Sequence, residues 1–231
     1  MISFKEELEQ IDKLVATPNL IREFAISQLR GVTRKATLSY QDNLKINNAI
    51  QALANIKDAS ISSNYRVIYN QVCVLAASAL EAILKRYFID AANDYTRLNL
   101  NNKKLDEIKV TLRVLIDKDL KEGTLGENII LSDNSLKFQD LQSIKRAFLD
   151  YFSGMSLNLD TDLEKKLIFY LEVRHVIVHK SSYVDKKFLH ATSGREANLR
   201  SWQLGDKVQL DEEDWKSIKE SYALLLAEII K

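Results

Sequence analysis

The chain has 231 residues, of which 28% are charged and 46% hydrophobic, enough for one large domain or a domain with an appended piece. Its formal charge of +1 excludes a global field that would draw the whole molecule onto nucleic acid, so any such contact needs a local patch. One proline and six glycines favour long helices over a turn-rich β architecture, and the single cysteine excludes a disulfide framework within the chain.

The N-terminal stretch MISFKEELEQ lacks the apolar centre of a signal peptide. Ser3 and Glu6 read as a capping box opening a helix to about Val15. Thr17-Pro18 restarts a second helix that ends at Gly31, with Leu20, Ile21, Phe24 and Leu29 as its apolar positions. Arg22, Arg30, Arg34 and Lys35 make this region locally basic, a pattern read first as a solvated face. A helix from about Leu38 to Lys57 follows, carried by Leu44, Ile46, Ile50, Leu53 and Ile56 at three- and four-residue steps. The cluster Asp58–Asn64 closes it and marks a boundary between an N-terminal helical extension, residues 1–60, and a main bundle, residues 61–231.

The longest helix is expected over Tyr65–Tyr95. Between Val72 and Leu84 it is apolar on nearly every face, as a central bundle helix should be. That run, about thirteen residues, is shorter than a bilayer crossing needs. Glu81 interrupts it, in line with Val74 and Phe88, and a carboxylate so placed calls for a nearby cation or for an edge position reaching water. A short helix near Lys104–Asp119, a loop around Gly123–Gly126 and an irregular or short apolar segment over 127–137 come next. Leu141–Phe152 is an amphipathic helix stopped at Ser153-Gly154.

Leu163–Ser182 holds two of the three histidines. Leu163, Leu167, Leu171, Arg174 and Val178 fall along one helical stripe, so Arg174 points where apolar side chains point. A guanidinium there needs a carboxylate, a phosphate or a cleft, unless it snorkels to water at the helix edge. Beyond Ser182 the pattern loosens. Trp202-Gln203-Leu204 and Lys207–Leu210 flank Gly205-Asp206 as a small hairpin, and Asp211 caps a last helix whose apolar face is Ile218, Tyr222, Leu225, Leu226 and Ile229.

The arrangement Arg174-x4-His179 resembles the R-x4-6-H signature of the HEPN superfamily, in particular its stand-alone bacterial type related to the RiboL-PSP group. The upstream Glu81 helix, the GDKVQL segment and the closing helix share in the likeness, which covers roughly Asn64–Lys231. His175 stands where many members have Asn or Asp, and Lys180-Ser181-Ser182 where they often have Asn-x-Gly. The resemblance implies an all-α fold, an up-and-down HEPN-like bundle with a small β-hairpin before the last helix. It implies metal-independent RNA cleavage to a 2′,3′-cyclic phosphate, in a homodimer that apposes two motifs. The protein would be a cytoplasmic toxin or defence effector, with an antitoxin as a further partner and no membrane. The alternative is a non-catalytic module of the same fold that binds RNA, nucleotide or a protein.

The residue chemistry is compatible with that reaction. His179 can take the 2′-hydroxyl proton and Arg174 can hold phosphorane oxygens. The catalytic set expected is therefore Arg174, His179 and Glu81, with Glu81 paired to Arg174. His175, Lys180, Lys186 and Lys187 are expected to contact RNA, and Arg195 and Arg200 add to the basic stretch. Residues 174 and 179 lie about 140° apart on a straight helix, so they converge only if the helix loosens near Lys180 or if they line opposite sides of a groove. A two-fold dimer would solve this by apposing two motifs. Glu172, His175 and His179 share a face at metal-ligand spacing, but a di-iron bundle needs a second such motif and none is present. No metal or cofactor is expected.

Overall fold

In the computed structural model, which describes residues 4–35, 39–55, 60–108, 125–153, 155, 157–193 and 199–230, the chain is mostly helical. Its helices are α1 (Phe4–Lys35), α2 (Tyr40–Asn55), α3 (Ser60–Asn93), α4 (Lys103–Glu107), α5 (Leu125–Ser132), α6 (Leu141–Tyr151), α7 (Thr161–His179), α8 (Lys186–Thr192) and α9 (Glu212–Ile230). Ser3, Gly123, Gly154, Arg195 and residues 109–119 lie outside the described residues, and with them the first capping box and most of the helix expected to 119.

The all-α expectation holds among the described residues, where no strand occurs and only two isolated bridges, Leu98 to Phe152 and Tyr183 to Lys207, are present. The turn at Gly205 forms, with φ +86° at the glycine. Its second arm pairs back onto the chain just after α7 instead of onto residues 202–204. Val208 N–H donates to the Ser182 carbonyl at 2.8 Å, and Val184 N–H to that of Asp206 at 2.9 Å. This stitch ties the end of α7 to the approach of α9.

α3 is the hub, packed against α1, α5, α7 and α9. Val72, Leu80, Leu84 and Phe88 are fully buried on it. Phe88 meets Phe138, Phe148, Tyr151 and Phe152, the last with ring centroids 5.1 Å apart, which seats α6 on its far half. Arg66–Asn93 is, by length and a hydropathy of 1.7, apolar enough to cross a membrane, with 39% of its most apolar window buried within the chain. Counting only the run to Leu84 understates it, because Phe88, Ile89, Ala91 and Ala92 carry the apolar pattern past Lys85 and Arg86. Four packing partners account for a helix that is apolar on several sides.

Thr17-Pro18 does not restart a helix. α1 runs through both positions, with the Thr17 hydroxyl donating to the Lys13 carbonyl at 2.6 Å. A proline removes one bond of the ladder, which a helix of 32 residues tolerates. α1 is also joined to the bundle: Ile11 is buried, and Asp12 accepts from Trp215 Nε1 at 2.7 Å and from Lys219 Nζ at 2.8 Å.

α5 lies where a loop and an irregular segment were expected. It crosses α3 so closely that a Cβ on Gly126 would sit 2.5 Å from the Ile89 carbonyl oxygen. The Gly126 N–H donates to Asn93 Oδ1 at 2.9 Å, so the glycine marks a backbone crossing. Aspartate N-caps set the starts that matter for the motif: Asp140 for α6, Asp160 for α7 and Asp185 for α8, each accepting at 2.8 Å from the N–H three residues on.

Candidate functional site

α7 is buried along most of its length, with Leu167, Tyr170, Leu171, Val173 and Val176 nearly inaccessible. It emerges at its C-terminal end, where Val178 is 44% exposed and His179 is exposed. Val178 thus leaves the buried stripe that periodicity assigned it, because the helix outruns its neighbours there. Lys180 N–H and Ser182 N–H both donate to the Val176 carbonyl, at 3.0 and 3.2 Å, and close the helix. Ser181 and Ser182 have φ of 52° and 68°, the left-handed region in which glycine or asparagine is the easier residue. The Asn-x-Gly of the resembling family would fall at this turn.

His175 and His179 lie one turn apart on the face that α8 flanks. Their ring centroids are 4.7 Å apart with the planes tilted by 46°. Burial holds the His175 imidazole below its ordinary pKa, and the charges of Lys187 and His179 push in the same direction while Asp185 opposes them. His175 is therefore the half-buried ring, biased toward its neutral form, and His179 the exposed one. Lys180 reaches Asp185 at 3.6 Å, so its charge is partly answered. Asp185 is held below the usual carboxylate range by the Phe188 N–H that it caps. Lys186 and Lys187 are exposed on the first turn of α8.

α8 lies within the region after Ser182 that showed no regular pattern. Its seven residues offer too little periodicity, although Asp185 three residues before a buried Phe188 is a legible start. Phe188 packs against Phe169 and Trp202, whose own rings stack 5.5 Å apart, and this cluster holds α8 against α7. Between α6, α7 and α8 lies a pocket of about 460 Å³ to which Glu172, Lys187 and His190 contribute. A larger one, about 740 Å³ and lined by Arg22, Ile26, Arg30 and Ala54, contains no residue of α7. Arg22 is only 13% exposed there, whereas Arg30 is exposed as the solvated-face reading expects.

Arg174 and Glu81 do not meet as expected. Glu81 is half-buried and its Oε1 accepts from Gln139 Nε2 at 3.2 Å, while no ion pair or hydrogen bond links it to Arg174 among the described residues. A neutral carboxamide, not a guanidinium, answers that carboxylate, because the chain entering α6 runs alongside Glu81. Arg174 is half-buried toward α3 and α9, where its charge bears on Cys73 and Tyr222. Burial raises the Cys73 thiol to about 12, which leaves it without thiolate character. The Tyr222 hydroxyl is buried without a hydrogen-bond partner among the described residues.

The structure thus gathers His175, His179, Lys180, Asp185 and Lys187 at one end of α7, and leaves Glu81 in a different contact. Arg200 belongs elsewhere too: it pairs with Asp211 and, at 2.8 Å, with Asp214, whose carboxyl burial pushes up. No group of three or more His, Cys, Asp or Glu side chains able to hold a metal ion occurs among the described residues. The chain matches no protein-family model, no curated protein and no solved structure.

Proposed function

We propose that this protein is a metal-independent endoribonuclease, HEPN-like in fold and acting in the cytoplasm, with the end of α7 as its active site. One observation carries the reading: two imidazoles 4.7 Å apart at the exposed end of an otherwise buried helix. Breaking a phosphodiester without a metal needs one group to remove the 2′-hydroxyl proton and another to protonate the departing 5′-oxygen. The 2′-oxygen then attacks phosphorus, the bond to the 5′-oxygen breaks, and the products are a 2′,3′-cyclic phosphate and a 5′-hydroxyl. His175, kept neutral by burial and by Lys187, suits the first task. His179, exposed at the end of the helix, is the group within reach for the second. This exchanges the emphasis that sequence alone placed on His179 as base.

Arg174 leaves α7 on another side, so a phosphate held by both Arg174 and the histidines calls for a second copy. An isologous dimer through this end of α7 supplies it, and the exposed Val178 and Tyr183 beside His179 offer apolar surface for the contact. A toxin or defence role with a neutralising antitoxin fits such an enzyme. The second reading, a non-catalytic module that binds RNA, nucleotide or a protein at the same place, is favoured by the half-buried setting of Arg174.

The deciding experiment is cleavage of a mixed-sequence single-stranded RNA in EDTA. Wild type should cut, and His179→Ala, His175→Ala and Arg174→Ala should each lose at least about 100-fold in rate. Wild-type protein that binds the RNA without cutting it favours the module. Cleavage lost in EDTA and restored by a divalent ion overturns the metal-independent mechanism.

A further inference from the structure

We infer that the cavity between α1 and α2 is a site for a phosphorylated small molecule of nucleotide size, held by Arg22 and separate from the chemistry of α7. The cavity, about 740 Å³, is lined by Arg22, Glu23, Ser27, Arg30 and Gly31 of α1 and reached by Ala54 of α2. Arg22 stands on the half-buried stripe of α1 that continues with Ile26 and Leu29, one and two turns on. Its side chain is only 13% exposed. Its Nη2 lies 3.9 Å from Glu23 Oε1, longer than a hydrogen bond, and its Nε is buried with no hydrogen-bond partner among the described residues. Glu23 is itself 70% exposed, so water screens the charge it offers. A guanidinium drawn this far from water calls for a closer anion than that carboxylate.

Gly31 points the same way from an independent side. A glycine inside a helix costs stability through its freedom in the unfolded chain. At Gly126 a close crossing requires one, whereas a Cβ added at Gly31 would meet nothing within 4 Å among the described residues. Packing does not ask for a glycine there, and the missing side chain keeps the cavity open. Its volume is that of a small-molecule site and far exceeds a lone phosphate. Two guanidiniums against one carboxylate leave the lining cationic. Arg30 is engaged within the chain, so it adds charge to the cavity while Arg22 supplies the donors. The terminal N–H groups of an arginine match the paired oxygens of a phosphate. A doubly charged phosphate displaces Glu23, whose carboxylate turns out to water; a monocarboxylate would bring only what Glu23 already brings. Ile26 and Ala54 offer apolar surface to the rest of the ligand.

The test is isothermal titration calorimetry on the full chain in EDTA with ATP, with pyrophosphate, and with adenosine as the uncharged control. ATP should bind with a Kd below about 1 mM and more weakly as salt rises, and adenosine should not bind in that range. Pyrophosphate as tight as ATP indicates that the phosphates suffice; weaker pyrophosphate indicates that the nucleoside adds contacts, and both agree with the site. Arg22→Met keeps most of the side-chain volume and removes the charge. It should lose at least about tenfold in ATP affinity, while the ligand-free variant melts no lower than wild type because the cation it removes has no close partner. Gly31→Leu should fill the cavity and abolish binding with the fold intact. Failure of both ATP and pyrophosphate to bind, adenosine binding as tightly as ATP, or ATP affinity that survives both substitutions overturns the inference. So does an Arg22→Met protein that melts well below wild type, which would make the arginine a structural residue. The nuclease reading is judged separately by cleavage in EDTA, since no residue of α7 lines this cavity.

Discussion

The imidazoles of His175 and His179 face each other at 4.7 Å, and only the first is drawn into the protein. An i, i+4 pair on an isolated helix would have two equivalent rings. Here burial affects the first ring, and the charge of Lys187 on α8 bears on it. Burial and the charge of Lys187 give the two rings the asymmetry that the proposed acid–base chemistry would use.

Removing Lys187 should therefore move His175. Its charge is the largest cause after burial that keeps the imidazole below the ordinary 6.5. In Lys187→Ala the His175 pKa should rise toward that value, and an NMR titration of its ring protons reads this directly. With His175 as the base of the proposed cleavage, the acidic limb of its pH profile should shift upward in pH as well. The same depression has a stability consequence. Below about 6.5 the unfolded chain binds a proton at this site more readily than the folded one, so His175 stabilises the fold above that pH and loses the contribution as pH falls through its folded pKa. Thermal melts between pH 7 and pH 5 should show a smaller loss in Lys187→Ala than in wild type.

Gly126→Ala should be costly for so small a change. The added methyl would lie 2.5 Å from the Ile89 oxygen and 2.6 Å from its Cα, and neither backbone can yield without moving α5 off α3. A loss of about 1–3 kcal/mol is expected in urea unfolding. A variant as stable as wild type would show that α5 can re-seat.

Asp12→Ala tests whether α1 is an appendage or a part of the bundle. The substitution leaves the Trp215 indole N–H without its acceptor and removes the ion pair to Lys219. An expected cost of about 1–3 kcal/mol follows from the stranded donor more than from the partly exposed pair. An unchanged midpoint would mark α1 as loosely attached.

Ser182→Gly should stabilise the turn that ends α7. The serine has φ 68°, a conformation that costs an L-residue about 1–2 kcal/mol and glycine almost nothing. The greater freedom of glycine in the unfolded chain returns part of this, so a net gain of about 0.5–1 kcal/mol is expected in chemical denaturation. A destabilised variant would indicate that the serine side chain holds the turn.

The sequence by itself determined the parts that depend on one segment at a time. Helical spacing and caps located α3, α6, α7 and α9 to within a few residues, and the same spacing put Glu172, His175 and His179 on one face. The motif was legible because its residues share one helix. What only the tertiary structure decided were relations between segments. Glu81 has Gln139 as its partner, Arg174 lies toward α3 and α9, and the turn after Gly205 pairs with Ser182–Val184. α8 was missed because seven residues carry too little periodicity, yet that short helix brings Lys187 to bear on His175 and walls the pocket. The physical reason is one of range: backbone preference and amphipathic period act over a few residues, whereas the partner of a buried charge is set by whichever helix the packing of the whole core brings beside it.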